Sequence, residues 1–185
     1  MADRIQMPEQ FTTDRLVISR LRGEDAEEIF YSYASKPVAT RFVSWPTHQR
    51  IQDTRQFLAY TRSAWQAGVD FSYGIRLKNH RFIGSCGVIN DLGKIQFGYV
   101  LSPTHWRQGY ATEACSMLMR LLRATPGVHT VGTFIDAENI ASERVLLKSG
   151  LMVVDRKPKW FAFVNQGNIL KDCVLFGLPL TGYQR

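Results

Sequence analysis

Residues 106–114, Trp-Arg-Gln-Gly-Tyr-Ala-Thr-Glu-Ala, combine small, cationic and polar side chains in a pattern typical of an anion-binding turn. The preceding segment alternates in hydrophobicity, which predicts a half-buried strand with one face formed by Ile95, Phe97, Tyr99 and Leu101. The following segment has apolar residues at helical spacing, at Ala111, Ala114, Cys115, Leu118, Leu121 and Leu122. The turn therefore leads into a helix N-terminus, where free N–H groups and the helix dipole favour a phosphate. Gly109 permits close backbone approach and Arg107 adds a cation, although an ordinary glycine-containing loop fits these residues equally well.

Asn139 and Ser142 form a second polar group, at the start of a predicted helix that stops before Gly150. Asparagine is among the residues preferred at a helix N-cap, and Ser142 would fall in the first turn. Both residues could simply begin the helix, and a ligand contact would be compatible with that role.

The elements that hold these residues alternate along the chain. Hydrophobic alternation predicts strands at residues 16–22, 71–77, 82–89, 94–101, 129–135, 151–157 and 172–178. Helical periodicity predicts helices from about residue 25, at 51–67, after the 106–110 turn, and at 140–149. The order βαα-βββ-α-β-α-ββ predicts an α/β protein with helices on both faces of one sheet.

Length and composition narrow the class of protein. A chain of 185 residues with 45% hydrophobic and 21% charged residues suits one globular domain. No apolar run is long enough to cross a membrane, and the first residues lack the apolar segment of a signal peptide. Cys86, Cys115 and Cys173 lie far apart without zinc-site spacing, which indicates reduced thiols and predicts a cytoplasmic protein without a structural metal.

The chain is basic, with Lys and Arg exceeding Asp and Glu by 23 − 16 = 7. This surplus suits a polyanionic ligand such as coenzyme A, and would equally suit a ribosomal or nucleic-acid surface. The basic residues are scattered, with one short cluster at 156–159, and no nucleic-acid-binding signature accompanies them. Solvated surface charge is therefore favoured over a nucleic-acid-binding face.

Residues 106–113 resemble the acetyl-CoA pyrophosphate loop of the GNAT acetyltransferases, in the form used by the ribosomal-protein N-acetyltransferase (RimJ/RimL-like) branch. There the motif reads roughly Trp-x-x-Gly-Tyr-Ala-Thr-Glu, after a strand ending Gly-Tyr-x-Leu, here residues 98–101. The segment Thr13-Asp14-Arg15-Leu16 is a further habit of the branch. The general family motif, Gln/Arg-x-x-Gly-x-Gly/Ala, begins where this chain has Trp106, a departure typical of the branch. The resemblance extends over residues 13–178.

This resemblance implies a fold and a cofactor. We expect a single domain over residues 1–185, with a mostly antiparallel seven-stranded sheet and about four helices. A bulge would splay the fourth and fifth strands, and the pantetheine arm of acetyl-CoA would lie between them. Backbone N–H groups would hold the pyrophosphate at Arg107, Gln108, Gly109, Tyr110, Ala111 and Thr112. Main-chain groups of Tyr99, Val100 and Leu101 would meet the pantetheine and polarise the thioester oxygen.

The resemblance also suggests roles in catalysis. Asn139 would hydrogen-bond the pantetheine arm or order a water, and Ser142 would lie near the thioester sulfur as its proton donor. Many family members carry a tyrosine four positions after this serine, but Leu146 stands there instead.

No general base is predicted. Relatives often carry a glutamate two residues before the strand glycine, and this chain has Gln96, which cannot accept a proton. Glu113 is explained as a favourable charge at a helix start, His105 as an exposed loop residue and Asp91 as part of a turn.

The expected function is that of an acetyl-CoA-dependent N-acetyltransferase, acting as a monomer or homodimer. It would transfer the acetyl group directly to a primary amine, of a protein N-terminus or a small molecule, because no cysteine stands where a covalent carrier is needed. A catalytically weak acyl-CoA-binding or sensor module is the alternative, suggested by Gln96 and Leu146. A ribosome- or RNA-associated protein without cofactor is more distant. The aromatic loop at residues 160–167 and the Trp45-Pro46 pair would flank the acceptor cleft, or simply cover the core.

Overall fold

The computed structural model describes residues 5–180, so the ends of the expected domain, residues 1–4 and 181–185, lie outside the described part. Eight strands form one sheet in the order β1-β2-β3-β4-β5-β6-β8-β7. Their bounds are β1 Gln10–Thr12, β2 Leu16–Arg20, β3 Asp70–Leu77, β4 Phe82–Asp91, β5 Lys94–Leu101, β6 Thr130–Asp136, β7 Met152–Ala162 and β8 Leu170–Gly177. All neighbours pair antiparallel except β5 and β6.

Five α-helices cover this sheet. They are α1 Ala26–Ile29, which continues as a π-helical turn over Phe30–Ala34, α2 Pro37–Thr40, α3 Ile51–Ala67, α4 Tyr110–Ala124 and α5 Ile140–Lys148. No helix within residues 5–180 has the length and apolar character needed to cross a membrane.

The expected α/β class, with a mixed sheet and helices on both faces, is confirmed. Buried residues of α4, among them Leu118 and Leu122, pack in one core cluster with sheet residues such as Phe97. A second cluster joins α1 and α3 to the sheet, through Ile29 and Leu58.

Two details of the predicted architecture were wrong. The sheet has eight strands rather than seven, because β1 is only three residues long and too short to show alternation. Residues 160–162, predicted as loop, belong to β7, since Phe161 and Ala162 pair with β8. The register of β7 shifts between Lys157 and Phe161, and Lys159 has a φ of 45°. The alternation of side chains between the two faces of the sheet is therefore interrupted at that point.

The predicted splay is present, between β5 and β6. These strands pair only at Lys94↔Thr130, Ile95↔Val131 and Gln96↔Gly132. Beyond that point β6 continues alongside β8, whereas β5 continues alongside β4. The β4–β5 register runs without a shift, so the strands part without the expected bulge in that pairing.

The segment after α2, residues 41–50, lies over the face of the sheet that carries α1 and α3, and Asn165 holds it in place. The side-chain amide nitrogen of Asn165 donates to the carbonyl oxygens of Thr40 (2.7 Å) and Trp45 (2.9 Å). Its amide oxygen accepts from the backbone N–H (2.9 Å) and hydroxyl (3.1 Å) of Thr47. The connection between β7 and β8 therefore fixes one wall of the cavity described below.

Replacing Asn165 by alanine should destabilise the protein. The variant loses four hydrogen bonds to partly buried groups. At about 0.5–1.5 kcal/mol net each, we expect the free energy of unfolding in urea to fall by about 2–6 kcal/mol. Asn79→Ala, in an exposed turn with one hydrogen bond to Arg81, should cost at most about 1 kcal/mol. Equal losses in the two variants would contradict a clamping role.

Candidate functional site

A cavity of about 1130 Å³ occupies the gap between β5 and β6 and extends onto the face of the sheet under α1 and α2. Its walls include the 105–112 loop, the first residues of α5 and several aromatic side chains. Because the two strands part after three residue pairs, the cavity reaches the middle of the sheet. This volume is at the upper end of the range for ligand pockets, so it can hold an elongated ligand.

The loop between β5 and α4 has a backbone shaped for an anion. Arg107 and Gly109 both have positive φ, 61° and 81°, and Gly109 is the N-cap of α4 without a side-chain capping bond. The first N–H groups of α4 therefore remain available to a ligand. A Cβ built at Gly109 would lie 3.2 Å from a guanidinium nitrogen of Arg15. Trp106 anchors the loop, its indole N–H donating to the carbonyl of Leu101 at 3.0 Å.

Five of the six predicted phosphate-loop residues line the cavity: Arg107, Gly109, Tyr110, Ala111 and Thr112. Gln108 does not. Its side chain donates to the carbonyl of Thr104 at 3.1 Å, and its own carbonyl accepts from Arg15 at 3.0 Å. Gln108 therefore supports the loop from outside the cavity.

The segment Thr13–Leu16 and the segment 106–114 are far apart in the sequence, and they meet at Glu113. The Thr13 hydroxyl donates to one carboxylate oxygen at 2.5 Å, and Arg15 forms an ion pair with the other at 2.6 Å. Arg15 also lies over the ring of Tyr110, 4.5 Å from its centroid. Burial raises the pKa of Glu113, but the hydrogen bonds from Thr13 and Arg15 and the Arg15 charge outweigh burial and lower it. Glu113 is therefore ionised and holds Thr13 and Arg15 against the start of α4. The role of Arg15 was not predicted from the sequence.

Tyr99 and Ser142 meet across the cavity. The Tyr99 hydroxyl donates to Ser142 Oγ at 3.0 Å, and the backbone N–H of Ser142 donates to the side-chain oxygen of Asn139 at 3.2 Å. Burial, with a smaller contribution from Cys115, raises the pKa of Tyr99 against the opposing bond to Ser142. The phenol stays protonated at neutral pH, so it can act as a hydrogen-bond donor.

The direction of the β5 backbone distinguishes the candidate main-chain donors. The carbonyls of Phe97 and Leu101 point away from β4, since they accept from Thr133 (2.8 Å) and Trp106 (3.0 Å). The carbonyl of Val100 points the other way, toward Gly84 on β4. Because strand residues alternate in this respect, the N–H groups of Tyr99 and Leu101 face the opening and that of Val100 faces β4.

Other candidate residues have simpler roles. Leu146 is 1% exposed and belongs to the core, and Gln96 is exposed at the end of the β5–β6 pairing. His105 lines the cavity, and its pKa is lowered by burial and by the charge of Arg81. Asp91 is exposed beside the β4–β5 turn, as expected.

Two buried thiols lie near the cavity. Burial raises the pKa of Cys86 to about 12 and that of Cys115 well above its usual value. Because a thiolate is the nucleophilic form, neither cysteine can readily form a covalent intermediate.

The wall under α1 and α2 contains polar groups that sequence reasoning missed. The hydroxyls of Tyr33 and Ser85 lie 2.7 Å apart, and Ser85 is paired directly with Val100. His48 lines the cavity between Trp45 and Phe57, and burial lowers its pKa despite the charge of Asp53. Asp70, at the start of β3, also lines the cavity.

Of the expected aromatic walls, Trp45 and Phe163 line the cavity. Trp160 and Phe161 instead pack against Phe134, with ring centroids 4.9 Å apart in each case. Most of the aromatic segment therefore covers the sheet, while Trp45 faces the ligand space.

Comparison with known proteins adds a family. The sequence model of the acetyltransferase (GNAT) domain matches residues 15–152. The uncharacterized N-acetyltransferase YoaA of Bacillus subtilis (strain 168) is 28% identical over 142 residues, 75% of this chain and 80% of YoaA.

Two solved structures show the same fold. RimJ of Mycobacterium smegmatis, in complex with CoA-disulfide, has a TM-score of 0.77 at 16% identity, over 88% of this chain and 81% of that one. The Microcin C7 self immunity acetyltransferase MccE, in complex with acetyl-CoA and AMP, has a TM-score of 0.82 at 16% identity, over 92% and 96% of the two chains.

Proposed function

The chain belongs to the GNAT acetyltransferase family, whose co-substrate is acetyl-CoA, and on that premise we propose that it transfers the acetyl group directly to a primary amine. The acceptor is the amine of a protein N-terminus or of a small molecule. The observation that carries the proposal is the meeting, in one cavity, of an anion-binding loop with the paired hydroxyls of Tyr99 and Ser142. We propose that residues 1–185 form one catalytic domain.

The residues present fit acetyl-CoA. The free N–H groups at the start of α4 and the charge of Arg107 suit its pyrophosphate. The open edge of β5 offers the N–H groups of Tyr99 and Leu101 to its pantetheine amides, as a neighbouring strand would. Asn139 and Ser142 line the same cavity from the start of α5.

When bound, acetyl-CoA supplies an activated acyl group. The nitrogen lone pair of the amine attacks the carbonyl carbon, a C–N bond forms and the C–S bond breaks. Whichever of the Tyr99 and Leu101 N–H groups the pantetheine leaves free would donate to the thioester oxygen as negative charge develops there, and one such donor is worth about 3 kcal/mol in related chemistry. Ser142 Oγ would give its proton to the departing thiolate and draw one from the Tyr99 hydroxyl, and Tyr99 would regain its proton from water. The amine proton is released to water.

Direct transfer is favoured over a covalent acyl-enzyme. Cys86 and Cys115 are buried, and their raised pKa values keep them as thiols. Glu113, the carboxylate nearest the phosphate loop, is neutralised by Arg15. The chemistry therefore depends on an amine that arrives already uncharged.

The ribosomal-protein N-acetyltransferase branch is supported by the loop motif and by the Thr13–Arg15 contacts that explain the branch's first-strand motif. The structural likeness to RimJ agrees with that assignment. A catalytically weak acyl-CoA-binding module would share every feature of the phosphate loop. It differs in showing no turnover with any amine.

Gly109→Val should weaken acetyl-CoA binding at least tenfold. A β-branched side chain disfavours the left-handed conformation of Gly109 and moves the N–H groups that would hold the pyrophosphate. Gly167→Val is the matched control, because Gly167 has a φ of 73°, no neighbours around an added Cβ, and no place in the cavity. Both variants should lose about 1–2 kcal/mol of stability, and calorimetric affinity should fall only in the first. Equal affinities in the two folded variants would remove this loop from the site.

Ser142→Ala should lower kcat about tenfold or more while changing the KM for acetyl-CoA little, because a proton donor acts mainly in the transition state. Tyr99→Phe should behave alike, and the double variant should be no slower than either single one, since the two hydroxyls act as a unit. Asn139→Ala measures the loss of the helix cap, and its effect on stability gives the scale against which Ser142→Ala is compared. It removes the N-cap bond of α5 and should cost about 1 kcal/mol of stability. If Ser142→Ala lowers only the melting temperature, the catalytic assignment is wrong.

The enzyme should prefer amines of low pKa. An α-amino group has a pKa near ~7.8 and a lysine side chain near ~10.4, so at pH 7 about a tenth of the former is uncharged and well under a thousandth of the latter. A peptide carrying both amines should be acetylated at its α-amine, with a rate that rises with pH toward that pKa. The raised pKa of Tyr99 keeps the proposed donor protonated over this range. The measurement is thiol release and mass shift with acetyl-CoA across an amine panel, and acetylation at the lysine alone would reveal an unrecognised base.

A further inference from the structure

Asp70 is a carboxylate without a cationic partner in the wall of the cavity. It is 7% exposed, lines the cavity, and accepts one hydrogen bond, from the Ser72 hydroxyl at 2.6 Å. Among residues 5–180, no Lys, Arg or His forms an ion pair with it. Its second carboxylate oxygen accepts no hydrogen bond from residues 5–180. Every fully buried side-chain oxygen in that part of the chain has a partner, so this oxygen must be accessible. Because Asp70 lines the cavity, a ligand there can reach it.

The strand register places Asp70 relative to the reaction centre. Asp70 pairs with Ile89 and Ile89 with Gln96, while Ser72 pairs with Gly87 and Gly87 with Gly98. Directly paired residues project from the same face, so Asp70 and Gly98 share the face that carries α1 and α3. A Cβ built at Gly98 would meet nothing within 4 Å, which leaves a trough above the sheet between Asp70 and β5.

Two strand spacings, about 10 Å, separate Asp70 from Gln96 on β5, and Tyr99 lies three residues further along that strand, so Asp70 is about 14 Å from the reaction centre. At that distance the carboxylate cannot take a proton directly from an amine attacking a thioester at the edge of β5. It can bind a different group on the same acceptor.

A buried carboxylate without a cation is costly, and the site favours whatever neutralises it. Burial raises the pKa of Asp70, with the Ser72 hydrogen bond opposing. A positive charge within about 4–6 Å would restore the ionised form.

We propose that Asp70 binds a second positive group of the acceptor, so that the substrate is a small amine with another cation some distance from the nitrogen that is acetylated. A dipeptide amide with lysine as its second residue is a simple member of this class, because its α-amine has a low pKa and its ε-ammonium keeps its charge. The inference rests on the proposed function, because it names the acceptor of that reaction. The non-reacting ammonium pairs with Asp70, and the chain between the two nitrogens crosses the trough over Gly87 and Gly98.

Asp70→Asn tests the charge alone, since the amide oxygen can still accept from Ser72. Asp91→Asn is the matched control, as Asp91 is exposed beside the β4–β5 turn and lies outside the cavity. Each protein is assayed with acetyl-CoA and alanyl-lysinamide, against alanyl-norleucinamide, which has the same length and α-amine but no ε-ammonium. We expect the unaltered protein and Asp91→Asn to favour the lysine peptide at least tenfold in kcat/KM. Asp70→Asn should lose this preference through KM, with unchanged kcat for the norleucine peptide.

Thermal melting gives a readout independent of turnover. At neutral pH Asp70→Asn should melt at or above the unaltered protein, because it removes a buried unpaired charge. Millimolar alanyl-lysinamide should raise the melting temperature of the unaltered protein and leave that of Asp70→Asn unchanged. Equal kcat/KM for the two peptides, or a preference retained by Asp70→Asn, would overturn the assignment. If no amine is acetylated, the proposed function fails, and the melting shift with alanyl-lysinamide still decides whether Asp70 binds a cation.

Discussion

The parting of β5 from β6 is the constraint on which the site depends. Three residue pairs join the strands, and then each follows its other neighbour. An unpaired strand edge inside a sheet would normally be a liability, because its N–H and C=O groups have lost water without gaining partners. Here the edge lines the cavity, and the Thr133 hydroxyl donates to the carbonyl of Phe97 where the split begins. The opening places main-chain donors at the centre of the molecule without a bulge in the β4–β5 register.

The second constraint is the loop that follows this edge. Positive φ at Arg107 is unfavourable, and such a conformation persists only where its surroundings impose it. The surroundings are Trp106, bound to Leu101, and Arg15, which bridges Gln108 and Glu113. The Arg15–Glu113 pair is partly exposed, so its net contribution to stability is modest. Its value is geometric, because it joins the beginning of β2 to the first turn of α4.

Sequence patterns were sufficient where periodicity is strong and local. The bounds of α3 and β5 were predicted to the residue, and Tyr99 and Ser142, both predicted as site residues, do meet. The pattern failed for β1, whose three residues are too few to show alternation, and for the end of β7, where Lys159 interrupts the alternation. Asp70 and Ser85 went unrecognised because their chemistry arises from strand pairing between distant segments. An aspartate at the start of a strand is indistinguishable in sequence from a turn residue.

The distribution of charge around the cavity explains how a chain with a net charge of +7 could still accept a cationic substrate. Cavity-lining cations come from the loop and from α5, at Arg107, Arg144 and Lys148, whereas Asp70 lies on β3 at the other end of the sheet face. An anionic cofactor and a cationic acceptor would then occupy different ends, each near its own counter-charge. The nitrogen that attacks must be neutral, and among residues 5–180 no Asp or Glu other than Asp70 lines the cavity. A second, permanently charged group bound at Asp70 would therefore supply affinity without requiring the reacting nitrogen to be protonated.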